Sequence, residues 1–486
     1  MTRLRCLWYP LLAAALLGCE PDLERRMEPL TRDRLLDPES CKDCHPKYYR
    51  EWSSSMHAYA MQDPVFIAMN KRGQEETNGA LGDFCVKCHA PMAVRENAIG
   101  DFADLTDVPK HLQGVTCYFC HNAVEVGPEH FNAAITLAND DVMRANIRDP
   151  VEPTAHRVAR SPLYDAHNPR SAELCGTCHD IVTPPPQNVH LERTFAEYKP
   201  SVVALAGPSF NTCQHCHMPT RQDRVAVATG RDGELTRRRA THEHLFAAVD
   251  VALTDDFPNQ AAMRSAVESC ELPNSLASVV LTREGPIDAW LLLETNAGHN
   301  QPSGATHDRR LWAELTGYDG AGNVVYMDGQ IPDGAAEHGF AEHPCMLRDV
   351  IRDETGKEVH MFWDAENYPD APLSDKHTMA TATVATQSDH ALRCRFRLPG
   401  VLPARIVVQL KMRAVAIDVL QDLVDSGHLD PSIVSRMPTL RVSTSEFYLD
   451  ADRNNYSAIG VAASDCSAYV CMLDPEAEAC GRTGAP

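Results

Sequence analysis

The sequence is short of positive charge and of long apolar runs, and each shortage excludes a class of function. Against 67 Asp and Glu stand only 45 Lys and Arg, a formal net charge of -22. A chain of that sign is repelled by a phosphate backbone, so no nucleic-acid partner is expected. The same charge suits docking to basic protein partners, where complementary potentials raise encounter rates, and it also serves plain solubility. After the first twenty residues no apolar run approaches the ~20 residues that a membrane helix needs.

Cysteine, by contrast, is abundant, and its spacing is regular. "GVTCYFCHNAV" places Cys117, Cys120 and His121 in a five-residue pattern that recurs four times. The other copies are "CKDCH" (Cys41, Cys44, His45), "CVKCH" (Cys85, Cys88, His89), "CGTCH" (Cys175, Cys178, His179) and "CQHCH" (Cys213, Cys216, His217). One copy alone could be half a zinc site or a redox dithiol. Zinc pairing does not explain why all five pairs end in histidine. The pattern is the c-type haem attachment signature, in which two thiols add to the porphyrin vinyl groups and the adjacent histidine is the proximal iron ligand. Five haem c groups are therefore expected.

Covalent haem attachment takes place outside the cytoplasm, and the N-terminus agrees. In "MTRLRCLWYPLLAAALLGCE", Arg3 and Arg5 precede an apolar stretch over residues 7–17 that ends at Cys19. This reads as a lipoprotein signal peptide over residues 1–18, with Leu17 larger than usual at its place and Cys19 the lipidated residue. An ordinary signal peptide with an incidental Cys19 is the alternative. Residues 19–40 follow as a linker. The expected location is the periplasmic or outer face of the cell envelope, with Glu20 favouring the outer membrane.

A length of 486 residues suggests two domains, and the chain changes its pattern part-way. Residues 41–245 hold all five motifs, about 40 residues for each. Haems, rather than an ordinary apolar core, are expected to fill this half, wrapped by short helices such as "PKYYREWSSSMHAYAMQ" and "RTFAEYKPS" and by irregular loops. Residues 246–486 turn to period-two alternation from about residue 272. "SVVLTR", "IDAWLLLET", "RRLWAEL", "GNVVYMDG", "MATATVAT", "LRCRFRL" and "RIVVQLKMR" are strand-like, and "DETGKE" reads as a hairpin turn. The expected class is α+β: a loop-rich, mainly helical multihaem domain, then a mainly antiparallel β-sandwich. One helix, in "AIDVLQDLVDSG", has Ile417, Leu420, Leu423 and Val424 on one face and is expected to lie over the sandwich. Six cysteines, Cys270, Cys345, Cys394, Cys466, Cys471 and Cys480, follow the last motif and permit up to three disulfides of undetermined connectivity.

The occupant of each iron's second axial position decides function, and 17 further histidines are available. Here the sequence resembles a known family. "CKDCHPKYYREWSSSMHAYA", "GVTCYFCH", "ELCGTCHD" and "CQHCHMP" are similar to the cytochrome c-554-like haem regions of multihaem cytochromes, which include the tetrahaem electron acceptor of hydroxylamine oxidoreductase. The resemblance covers residues 41 to about 245, and the fifth motif exceeds the tetrahaem pattern. It implies distal ligands at His57 in "SMHA", His156 in "PTAHR", His244 in "THEHLF" and His130 in "VGPEH", although "NAVEV" before His130 departs from the usual glycine-rich spacing. His111, His167, His190 and His242 are reserves. Met56, Met61, Met92 and Met218 read as packing residues that could also ligate. "AGHNQPSG" resembles a loop of multihaem cytochromes that have a C-terminal sandwich, and it implies that His299 reaches a haem from the second half.

The expected function is electron transfer through a chain of haems between redox partner proteins, with no catalytic residue assigned. The alternative is a multihaem oxidoreductase acting on a small nitrogen or sulfur compound at one five-coordinate haem, with Arg309 and Arg310 near His307 as candidate anion-binding groups. No lysine-terminated haem motif, as used by one type of nitrite reductase, is present, nor are the eight motifs of hydroxylamine oxidoreductase.

Overall fold

The structure is a computed structural model. It describes residues 29–150, 155–185, 188–207, 211–220, 225–229, 238–261, 263–264, 275–282, 287–295, 297–340, 345–366, 380–383, 391–450 and 455–458. The expected export signal, Cys19 and cysteines 270, 466, 471 and 480 lie outside the described residues.

The fold is α+β in two parts. In the first, short helices alternate with loops and two-stranded ladders. Its longest helix, Pro64–Glu76, starts where Asp63 accepts a hydrogen bond from Val65 N and Pro64 takes the first helical position. The loops between motifs are more ordered than the sequence suggested. Ala123–Val126 pairs antiparallel with Ile135–Leu137, Val142–Ala145 runs parallel to Arg157–Arg160, and Ile181–Val182 pairs with His190–Glu192.

The expectation that this half has no ordinary core needs correction. Leu35, Leu36, Met61, Phe66, Val86, Met92, Tyr118, Phe119, Ile135, Leu137 and Leu163 form a continuous buried apolar cluster. The motifs feed it themselves. Val86, Tyr118 and Phe119 occupy the two positions between paired cysteines, and a helical turn that points Cys, Cys and His one way points these the other.

The second part is a two-sheet sandwich whose strands we number β1 to β9. Leu392–Arg397 (β6), Asp288–Thr295 (β2) and Ser275–Thr282 (β1) form one sheet, in that order. The other runs Val324–Asp328 (β4), Arg310–Tyr318 (β3), Arg405–Arg413 (β7), Leu440–Asp450 (β8) and Asn455–Ala458 (β9), with Met346–Leu347 (β5) also pairing with β3. All these pairings are antiparallel. Alternate residues from both sheets meet in one core, including Leu291, Leu293, Leu311, Leu315, Phe396, Ile406, Val408 and Leu410. Cys345 and Cys394 form a disulfide with Cα atoms 5.3 Å apart, joining the start of β5 in one sheet to β6 in the other. The "DETGKE" turn joins Ile351–Arg352 to Glu358–Val359. Strands were expected over "MATATVAT", of which only residues 380–383 are described, as isolated bridges.

The expected helix is present at Ile417–Asp425, with a second short one at Pro431–Val434. Its apolar face does not simply cover the sandwich. Val419, Leu420 and Leu423 belong to a cluster with Val65 and Ala68 of the long helix in the first part. Arg72 of that helix pairs with Asp422 at 3.1 Å, so this helix joins the two parts.

Candidate haem-binding sites

Each motif lies on or beside a turn of helix. Cys117–His121 and Cys213–His217 are complete helices, Val86–His89 starts directly after Cys85, and Cys41 and Cys175 sit near the ends of Glu39–Lys42 and Arg170–Gly176. Thr116 caps the third motif by accepting from Phe119 N, and Thr212 forms a capping box with His215 in the fifth. Helical geometry brings residues i, i+3 and i+4 to one face, which puts both thiols and the imidazole together.

The five motif histidines share a second feature. Nδ1–H of His45 donates to Val227 O at 2.9 Å, His89 to Ala60 O at 3.1 Å, His121 to Arg144 O at 2.6 Å and His217 to Ala247 O at 3.1 Å. His179 donates instead to a carboxylate, Glu192 Oε1, at 3.0 Å. In the four that donate to carbonyls, a proton held on Nδ1 leaves the Nε2 lone pair available to a metal. Burial lowers His179, but its bond to the Glu192 carboxylate outweighs that and raises it to about 9, so its Nε2 would give up a proton on binding a metal.

Four of these rings face a second histidine. His45 and His156 have ring centres 6.2 Å apart, His121 and His244 6.2 Å, His179 and His57 6.3 Å, and His217 and His299 6.3 Å. Metal–imidazole bonds run about 2.0–2.1 Å and a ring centre lies ~1.1 Å behind its nitrogen, so two imidazoles sharing one iron have centres about 6.2–6.4 Å apart. The spacing fits that span, and the donor set suits haem iron. Burial pushes His57 and His244 down to about 3 and His299 down to about 4, so all three are neutral near pH 7, as a ligand must be.

The second motif differs. Among the ring contacts of described residues, His89 stacks on Phe66, 4.1 Å away with planes 3° apart, and faces no histidine.

The segments that carry His57 and His299 are held locally. Val115 N donates to His57 O at 2.8 Å and Trp52 Nε1 to Val115 O at 2.7 Å. Gly114, with φ +69°, makes that approach possible, because a Cβ there would sit 2.6 Å from Ala58 O and 2.7 Å from His57 O. The loop carrying His299 is clasped by Glu197, whose carboxylate accepts from Asn300 N and Nδ2, each at 3.1 Å, and from Ser303 Oγ at 2.7 Å. Asp349 adds bonds to Arg193 and Thr306.

His130 is not brought opposite any motif histidine. The hairpin over residues 123–137 turns it toward Phe195, with ring centres 5.9 Å apart, and its Nδ1 is buried without a hydrogen-bond partner. Of the reserves, His190 bonds Asp180, His242 donates to Met218 O at 2.7 Å, and His167 packs edge-on to His215. Met61 and Met92 belong to the apolar cluster. Arg310 is consumed inside the sandwich by His307 O at 2.7 Å and by Asp418. Arg309 directs its charge toward Glu192, Asp250 and His299.

Thiols of different motifs also meet. Cys41 lies near Cys117, Cys88 near Cys178, and Cys175 near Cys213, while Cys120 and Cys178 are farther apart. The fourth motif thus lies beside the second and the fifth.

Residues 40–122 match the family described as cytochrome c554 and c-prime. The matched segment holds three of the five motifs and supports a multihaem c-type cytochrome. A penta-heme cytochrome c552 from Thermochromatium tepidum is similar in structure to this chain, with a TM-score of 0.55 at 20% identity, covering 86% of this chain and 99% of that one. No significant match is found among curated proteins. The family match over three attachment motifs supports haem c as a cofactor. Among the described residues, no helix is long and apolar enough to cross a membrane.

Proposed function

We propose that this chain is an exported, lipid-anchored electron-transfer protein holding five haems c. The four facing histidine pairs carry this reading. His45 with His156, His121 with His244, His179 with His57 and His217 with His299 would each supply both axial ligands of one iron. Bound haem supplies one-electron storage and release, and paired histidines favour low potential over substrate binding. The chain's own part is to fix the ligands, exclude water and keep neighbouring attachment sites in contact. Neighbouring thiols of motifs one and three, two and four, and four and five, with a longer-range approach between three and four, favour an unbroken path with a branch at the fourth site. Residues 41–245 would hold the haems, and residues 246–486 would brace them, delivering His299 to the fifth site.

A specific observation favours a second role. His89 faces no histidine among the described residues, so the second site suits an open iron where a small nitrogen or sulfur compound could bind. The donor and acceptor would be proteins docking on the acidic surface, and Cys19 would tether the chain to the periplasmic or outer face of the envelope.

Intact mass and spin counting test this together. Five added haem masses, with four low-spin irons and one high-spin iron in the resting spectrum, are expected. Fewer than five haems, or fewer than four low-spin irons, would overturn the assignment.

A further inference from the structure

Four motif histidines donate to neutral carbonyls, and His179 alone donates to a carboxylate. His179 also belongs to the motif that lies beside the second and the fifth, with the third farther off. We propose that Glu192 is a positioning residue that makes His179 an electron-rich ligand and the fourth site the most reducing of the four bis-histidine sites. The inference rests on the haem ligation proposed above.

A charged acceptor draws the Nδ1 proton more strongly than a carbonyl does, which makes the far nitrogen a better donor to iron. Both that donation and the negative charge itself stabilise ferric over ferrous iron. An electron then does not rest at the branch but passes on to a neighbour, and no bond is made or broken beyond exchange with donor and acceptor proteins.

The fold holds Glu192 for this role. It ends the strand His190–Glu192, paired to Ile181, and its backbone bridges to Ala305 of the loop that carries His299. Asn132 fixes the opposite strand, donating to Val182 O at 2.8 Å and accepting from Val182 N at 3.0 Å. Phe195 N anchors His179 O at 3.0 Å. The carboxylate oxygen Glu192 Oε1 lies 3.0 Å from His179 Nδ1, in place of the backbone carbonyl that the other four motif histidines meet. The sandwich half therefore helps to hold this carboxylate, through the bridge at Ala305.

The test uses the full-length holoprotein and potentiometric titration followed by paramagnetic resonance. The His57 and His179 rings are tilted by 53°, the largest angle of the four pairs, so this site's low-spin signal is expected at the highest g value. Glu192→Gln should shift that one haem toward the reduced form by at least tenfold in its equilibrium constant, 59 mV for a one-electron couple, with the other potentials unmoved. Glu192→Asp should restore most of the difference. Unchanged potentials in Glu192→Gln, with five haems and the wild-type spin count retained, would overturn this inference and leave the ligation standing. A wild-type protein without four low-spin haems would remove the ligation and this inference with it.

Discussion

Replacing His299 with alanine removes one imidazole of the pair that spans the two parts of the molecule. Its ring centre lies 6.3 Å from that of His217, and no other described histidine ring meets His217. If the two share an iron, the wild type has one high-spin haem of five and His299→Ala has two, and the CO taken up by the reduced protein doubles from one to two per chain. The sandwich should stay docked. Glu197 still accepts three bonds from Asn300 and Ser303, each charge-assisted and contributing about 1.5–3 kcal/mol, and Asp349 still holds Arg193 and Thr306. Added imidazole should then enter the space left by the ring and return the spectrum to one high-spin haem. Quantitative paramagnetic resonance and CO titration read the counts directly. A high-spin fraction unchanged at one in five, with normal haem content, would refute the ligation of His299.

Further outcomes follow from particular contacts. His57→Ala should add one high-spin haem, whereas His130→Ala should leave the spin count unchanged, since His130 meets Phe195 and no motif histidine; resting spectra of the two variants decide this. Cys345→Ala with Cys394→Ala opens a cross-link between residues 49 apart, which should cost about 4 kcal/mol by loop entropy, read as a lower denaturant midpoint for the sandwich without change in haem content. Burial, with Asp250 adding repulsion, pushes Asp63 up to about 7. A carboxyl that holds its proton more tightly folded than unfolded lowers stability as pH rises from about 4 to 7. Asp63→Asn, which keeps a cap acceptor for Val65 N, should therefore raise the melting temperature by about 2 °C or more at pH 8 and leave it unchanged at pH 4.

Several parts of the fold were legible because their signals are short-range. Alternation in "IDAWLLLET" and "RIVVQLKMR" became β2 and β7 with alternate residues buried, since a strand's two faces are written in consecutive residues. β8 is the longest strand, yet its "VSTSE" hides the pattern: Ser443 and Ser445 are buried where apolar residues would have marked the inner face. The helix Pro64–Glu76 was missed for the opposite reason. It buries Val65, Phe66, Ala68, Asn70, Gly73 and Gln74, a mixed set with no clean apolar face, because it packs against both parts of the chain.

By itself the sequence marked five places for haem to attach, because Cys, Cys and His need only one helical turn to meet, and five residues specify that turn. It also pointed to His57, His130, His156, His244 and His299 by resemblance. Tertiary structure decided the rest: that His57 faces His179 rather than its own motif's neighbour, that His130 turns away, that His89 faces a phenylalanine, and that the fourth motif lies beside the second and the fifth. The physical reason is that an axial pair joins side chains from distant segments across a gap about one iron wide, a separation set by how loops such as 114–116 and 299–306 are tied down and not by any local spacing.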